Sequence, residues 1–255
     1  MQPSRSRPGQ GFLCALVLAL TLCVSAHVRA EPPSSDQLPL KHVARLLAAH
    51  APVRIAAFGS SSTQGVGARI PTAAYPSQLQ IVLTTALGAR EPVVVLNRGI
   101  GGEDADDMAR RLPRVIAEHP DLIIWQTGSN DPLRNVPIDR FVQETIAGIQ
   151  QIHAAHIDVM LMGPQLCRRL DGKVSTTLYR DALTAIGAGM DVPVIRRHTM
   201  MQAWLNEHVL TEQQMLSPDG LHMADAGYAK LAEAVGQDIL HRAHPALLAM
   251  DTPAR

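Results

Sequence analysis

Five short apolar runs, separated by stretches of helical periodicity, constrain this chain more than any other feature. They are VRIAAF at 53–58, VVVL at 93–96, LIIW at 122–125, VMLM at 159–162 and VPVI at 192–195. In these runs apolar residues mostly follow one another instead of alternating with polar ones, which fits strands covered on both faces and not strands with one wet side. Helical patterns lie between them, over 38–50 and 74–87, with Pro76 suited to a first helical turn, and a closing helix is expected over 225–248. Strand and helix in strict alternation predict a parallel sheet between two helical layers: an α/β chain, built as a three-layer α/β/α sandwich with a five-stranded sheet. Pro193 cannot donate to a ladder, so the last strand is expected at an edge.

The first thirty residues read differently. Arg5 and Arg7 precede an apolar stretch over 12–26, and Val28-Arg29-Ala30 resembles a small-residue cleavage site, the order of a secretory signal peptide. The apolar stretch, about 15 residues, is short of the roughly 20 that a spanning helix needs. The expectation is therefore a signal peptide at 1–30, a linker and N-terminal helix at 31–52, and a catalytic domain at 53–248. Such a protein would be exported to the periplasm or secreted, with no stable membrane insertion after cleavage. Cys14 and Cys23 each follow leucine, which does not suit lipid attachment, and their removal would leave Cys167 as a lone, buried thiol.

Composition narrows the partners. The chain carries 23 basic and 23 acidic residues, and cleavage would remove Arg5, Arg7 and Arg29 but no acid, so nucleic acid is excluded as the expected partner. Aromatic residues make up only 3%, which disfavours a long sugar-stacking groove.

In open parallel sheets ligands bind beyond the carboxyl ends of the strands. Four polar segments occupy such positions or lie just before the closing helix: GSSST at 59–63, NRGIGGE at 97–103, TGSND at 127–131 and SPDGLH at 217–222. Each alone reads equally well as a turn or a helix cap. Together, in this order, they resemble the four blocks of the SGNH, or GDSL, hydrolase superfamily, and PDLIIWQTGSND at 120–131 is the most specific match. The resemblance covers nearly all of the chain from Val53 onward and implies a flavodoxin-like sandwich and a serine esterase.

It also implies the roles. Ser61 stands at the nucleophile position, His222 at the acid–base position and Asp219 at the orienting acid. The backbone N–H groups of Ser61 and Gly102 and the side-chain amide of Asn130 stand at the oxyanion hole. Ser60 replaces the family's aspartate, which is not the triad acid. A serine hydroxyl needs a base to take its proton as it attacks, and an oxyanion needs donors already in place, so the residue types suit the chemistry. No cofactor and no metal is expected. His153 and His156 have helical spacing but suit a solvated face better than a ligand pair, and Arg98 and Arg134 read more readily as surface arginines than as guides for an anionic substrate.

Other readings remain open at this level. The Ser/Thr-rich first loop also suits a flavodoxin-like phosphate or flavin-binding module. Acyl transfer, or deacetylation of O-acetylated envelope or extracellular glycans, would use the same acyl-enzyme as hydrolysis of a small-molecule or lipid ester. Oligomeric state is not legible.

Overall fold

The computed structural model describes residues 38–88, 92–173 and 175–243. The signal-peptide, Cys14, Cys23 and 31–37 expectations lie outside the described residues, as does the closing-helix expectation beyond Ala243.

The sheet has five strands: β1 (Val53–Gly59), β2 (Val93–Gly99), β3 (Leu122–Gln126), β4 (Asp158–Met162) and β5 (Val194–Ile195). All neighbouring pairs are parallel, in the order β2-β1-β3-β4-β5. The last strand is at the edge, as expected. It is also shorter than the 192–195 run, because Val192 and Pro193 precede it, and the Pro193 carbonyl instead accepts from Leu161 N–H at 2.9 Å.

The helices are α1 (Lys41–Ala48), α2 (Ser61–Gln64), α3 (Tyr75–Leu87), α4 (Ala105–Ile116), α5 (Asp131–Arg134), α6 (Ile138–Ala154), α7 (Arg168–Asp171), α8 (Ser175–Met190), α9 (Arg197–Asn206), α10 (Glu212–Met215) and α11 (Asp225–Ala243). Successive strand residues point to opposite faces, and the two cores divide accordingly. Ile55, Ala57, Leu122, Ile124, Met160 and Met162 pack with α1, α3, α9 and α11, while Ala56, Phe58, Ile123, Trp125, Val159 and Leu161 pack with α4, α6 and α8. This double burial explains why the strand runs are continuous in the sequence.

Trp125 anchors the second core. It is fully buried, its ring centroid lies 5.7 Å from that of Phe58, and its indole N–H points at Met108 Sδ at 3.2 Å. Truncating such a side chain to alanine costs about 3–5 kcal/mol.

Local pattern alone does not set the start of α1. Its N-cap residue, Leu40, has no capping side chain, and the orphan N–H groups of His42 and Val43 instead donate to Asp158 Oδ2, at 2.8 and 3.0 Å. The cap comes from the first residue of β4, more than a hundred residues away.

The strand order reverses direction between β1 and β3. At such a switch point the two following loops diverge to opposite faces and leave a crevice. The turn after β1 and the TGSND segment after β3 both border it.

Candidate active site

Ser61 opens the short helix α2, directly behind β1. Gly59 permits this tight exit, since a Cβ there would fall 2.4 Å from Thr63 Oγ1 and 2.8 Å from Gln126 Cβ. Ser61 is the first helical residue, so its N–H belongs to the group that has no partner within the helix.

His222 comes from the far end of the chain. The segment that carries it is pinned by a bridge between Leu216 and Met223 and by the Ser217 N–H donating to the His222 carbonyl at 2.9 Å. Asp219 organises the turn inside it: Oδ1 accepts from Ser217 Oγ at 2.7 Å and from the N–H groups of Leu221 and His222 at 2.9 Å each. Its other oxygen lies 2.6 Å from His222 Nδ1, and His222 Nε2 lies 2.8 Å from Ser61 Oγ.

Electrostatics fix the proton positions along this line. Partial burial would raise the Asp219 pKa, but the hydrogen bonds from His222, Leu221 and Ser217 outweigh it and hold the carboxyl well below the usual carboxylate range. An ionised carboxylate only accepts, so Nδ1 carries the ring proton. Nε2 is then left as the acceptor for the Ser61 hydroxyl.

The second and third segments are stitched together beside Ser61. Asn130 Nδ2 donates to the Glu103 carbonyl at 2.7 Å, and Asp131 Oδ1 accepts from Ala105 N–H at 2.9 Å. Gly102 has φ +82°, in the left-handed region that favours glycine, and a Cβ added there would meet nothing within 4 Å. The requirement for glycine at this position is therefore conformational.

Several expectations need correction. Asn97, Arg98 and Gly99 are the last residues of β2 and not loop residues, because they stay in register with Ala57, Phe58 and Gly59. Arg98 pairs with Glu118 at 2.8 Å. Arg134 is half-exposed, as a surface arginine would be, but it is paired: it contacts Asp104 and Asp107 and donates to the Gly102 carbonyl at 3.2 Å. His153 lies on α6, whereas His156 follows its end with φ 60°, so the two do not share a helix. Among the described residues no group of three or more His, Cys, Asp or Glu could hold a metal ion. Cys167 is buried, and burial raises its thiol pKa.

Ser60, in the place of an aspartate, turns inward with its neighbours. The Ser60 N–H, Ser60 Oγ and Thr63 Oγ1 all donate to Gln126 Oε1, at 2.9, 3.1 and 3.1 Å. A phosphate-binding turn would aim such donors outward at its ligand. Sequence reasoning missed Gln126; the one signal it gives is a polar residue ending an otherwise apolar strand.

A model of the non-GDSL lipase-like family matches residues 29–243. The chain belongs to this family. With it the chain falls in the SGNH/GDSL superfamily, and it is a carboxylic ester hydrolase of that type. The serine of GSSS in place of an aspartate accords with the family's description. The chain is 26% identical to an arylesterase of Vibrio mimicus over 154 residues, 59% of this chain and 72% of that protein. It is similar in structure to a lipase/acylhydrolase from Enterococcus faecalis, with TM-score 0.61 and 26% identity over 74% of this chain and 96% of that one. A two-domain esterase active on acetylated mannans shares the fold, with TM-score 0.67 and 19% identity over 80% of this chain. The chain spans 53% of that two-domain protein.

A cleft of about 830 Å³ lies against the segment that carries His222, lined by Gly67, Arg69, Glu212, Ser217, Gly220 and Asp225 among others. Neither Ser61 nor His222 is among the residues that line it.

Proposed function

We propose that the protein is an exported serine esterase in which Ser61 attacks the carbonyl carbon of a carboxylic ester. The observation that carries this reading is the unbroken line from Asp219 through His222 to Ser61, with contacts of 2.6 and 2.8 Å. As the Ser61 oxygen bonds to the carbonyl carbon, its proton passes to His222 Nε2. The Asp219 carboxylate stabilises the imidazolium that forms. Negative charge then sits on the former carbonyl oxygen, where the N–H groups of Ser61 and Gly102 and the Asn130 amide are the proposed donors. Collapse expels the alcohol, which takes the proton from His222 and leaves an acyl-Ser61 ester. Water repeats the sequence, giving up a proton to His222, and the free acid leaves with Ser61 restored.

Export rests on the sequence order of the first thirty residues. It is tested by the N-terminal residue of the protein recovered outside the cytoplasm, expected near residue 31.

A second reading concerns the alcohol. The cleft beside the acid–base segment has a rim of paired charges, Arg69 with Asp225 and Arg168 with Glu212, which suits a hydroxyl-rich leaving group. Likeness in fold to an esterase active on acetylated mannans points the same way. We propose O-acetylated glycans beside simple short-chain esters as the substrate class.

The deciding experiment pairs p-nitrophenyl esters of graded chain length with acetylated oligosaccharides, each run with wild type and Ser61→Ala. Hydrolysis lost in the variant supports the serine mechanism, and hydrolysis retained in it refutes that mechanism. Transfer to an added glycan or alcohol exceeding hydrolysis would reassign the enzyme to acyl transfer.

A further inference from the structure

Arg197, the first residue of α9, is 1% exposed and sits beneath the site without touching it. Its guanidinium reaches three neutral acceptors: Nε donates to the Gly163 carbonyl at 3.1 Å, and Nη2 donates to Gln165 Oε1 at 2.8 Å and to Ser129 Oγ at 3.4 Å. Burial lowers its pKa to about 10, which leaves it charged at neutral pH.

A guanidinium can only donate, and this dictates the direction of every bond beyond it. Gln165 must turn Oε1 toward Arg197, so its Nε2 faces the other way and donates to the Leu221 carbonyl at 3.0 Å. Ser129 gives its single proton to the same Oε1 at 3.1 Å and therefore receives Gln126 Nε2 at 3.3 Å. Gln126 is thereby fixed with Oε1 toward the turn, where Ser60 and Thr63 donate to it. One end of the chain of bonds is held next to Ser61 and the other next to His222.

The residues that form it are all at most 5% exposed: Ser60, Thr63, Gln126, Ser129, Gln165 and Arg197. A buried polar network of this kind gives little stability over an apolar core of the same volume. What an apolar core could not do is tie two surface turns together with fixed polarity.

We propose that Arg197, Gln165 and Gln126 are positioning residues that hold the Ser61 turn and the His222 segment at reacting distance. The proposal rests on the reading of Ser61 and His222 as the reacting pair. Misplacement by about 1 Å at such a distance costs on the order of 10²-fold in rate.

Gln165→Glu separates positioning from mere stability. Its carboxylate still accepts from Ser129 and pairs with the buried Arg197, which offsets the repulsion between its second oxygen and the Leu221 carbonyl, but it loses the donor to Leu221. The readout is the rate at which a fluorophosphonate labels Ser61 in the full chain, mapped by mass spectrometry, beside the melting temperature. We expect labelling slowed by about 10- to 100-fold at an unchanged or higher melting temperature. Labelling at the wild-type rate overturns the relay and leaves the serine reading intact. A wild-type protein not labelled at Ser61 overturns both. Should Gln165→Glu fail to fold, Gln126→Leu is judged by the same measure: slowed labelling in a folded protein is expected, and the wild-type rate overturns the relay.

Discussion

Asp219 grips His222 twice, once at the ring through Nδ1 at 2.6 Å and once at the backbone N–H at 2.9 Å. Orientation of the imidazole and shape of the turn therefore depend on one carboxylate. Asp219→Asn should keep the backbone contacts through its carbonyl oxygen but lose the fixed tautomer. Turnover should fall by about 10⁴-fold with little change in melting temperature, which steady-state kinetics and a thermal melt would check together.

The three consecutive serines should separate cleanly. Ser61→Ala should abolish turnover, whereas Ser60→Ala removes one of three donors to Gln126 and should cost only about 1 kcal/mol of stability while leaving most activity. Ser62→Ala should likewise leave most activity. Ser60→Asp should do worse than either, because it sets a carboxylate against the acceptor Gln126 Oε1. Parallel kinetics and urea melts of the four variants would test this order, and a dead Ser60→Ala would move the nucleophile.

Asn130→Ala should lower turnover by about 10²- to 10³-fold if its amide meets the oxyanion. Arg134→Ala gives a contrasting expectation. Its contacts run to Gly102, Asp104 and Asp107, so its loss should lower turnover for neutral and anionic esters alike. A rise in KM confined to anionic esters would instead give Arg134 a guiding role.

Asp131 predicts a pH dependence of stability. Burial, opposed by the Ala105 N–H, raises its pKa to about 6, and its Oδ2 has no partner among the described residues. The folded state thus holds this proton more tightly than the unfolded chain, so the contribution is fully present below about pH 4 and is lost as pH rises to about 6. The difference corresponds to about 3 kcal/mol. Asp131→Asn keeps an acceptor for Ala105 and should gain stability over wild type above pH 6 but not below pH 4. Urea midpoints across this range would show it.

The sheet was legible because burial on both faces writes itself into continuous apolar runs, and Pro193 marked the edge. Ser61, Asp219, His222 and Asn130 stood out because each sits in a short polar segment and the four segments occur in the order that resembles the superfamily's blocks. Gln126, Gln165 and Arg197 did not, since a side-chain amide or guanidinium carries no period and its partners are set by packing. One pattern would have found them: each stands within three residues of the end of an apolar strand, at β3, β4 and β5, where the polypeptide emerges beneath the site. Asp158 capping α1 was invisible for the same reason, because the bond spans 116 residues.

The Ser61–His222 contact joins residues 161 positions apart. At synthesis rates of about 5–20 residues per second, Ser61 emerges roughly 8 to 32 s before His222. Throughout that interval its hydroxyl is an ordinary alcohol, indifferent to esters. On the proposed reading, with its base behind the last strand, Ser61 gains a proton acceptor only after every strand of the sheet has been made, so the order of the sequence keeps a partly synthesised hydrolase silent.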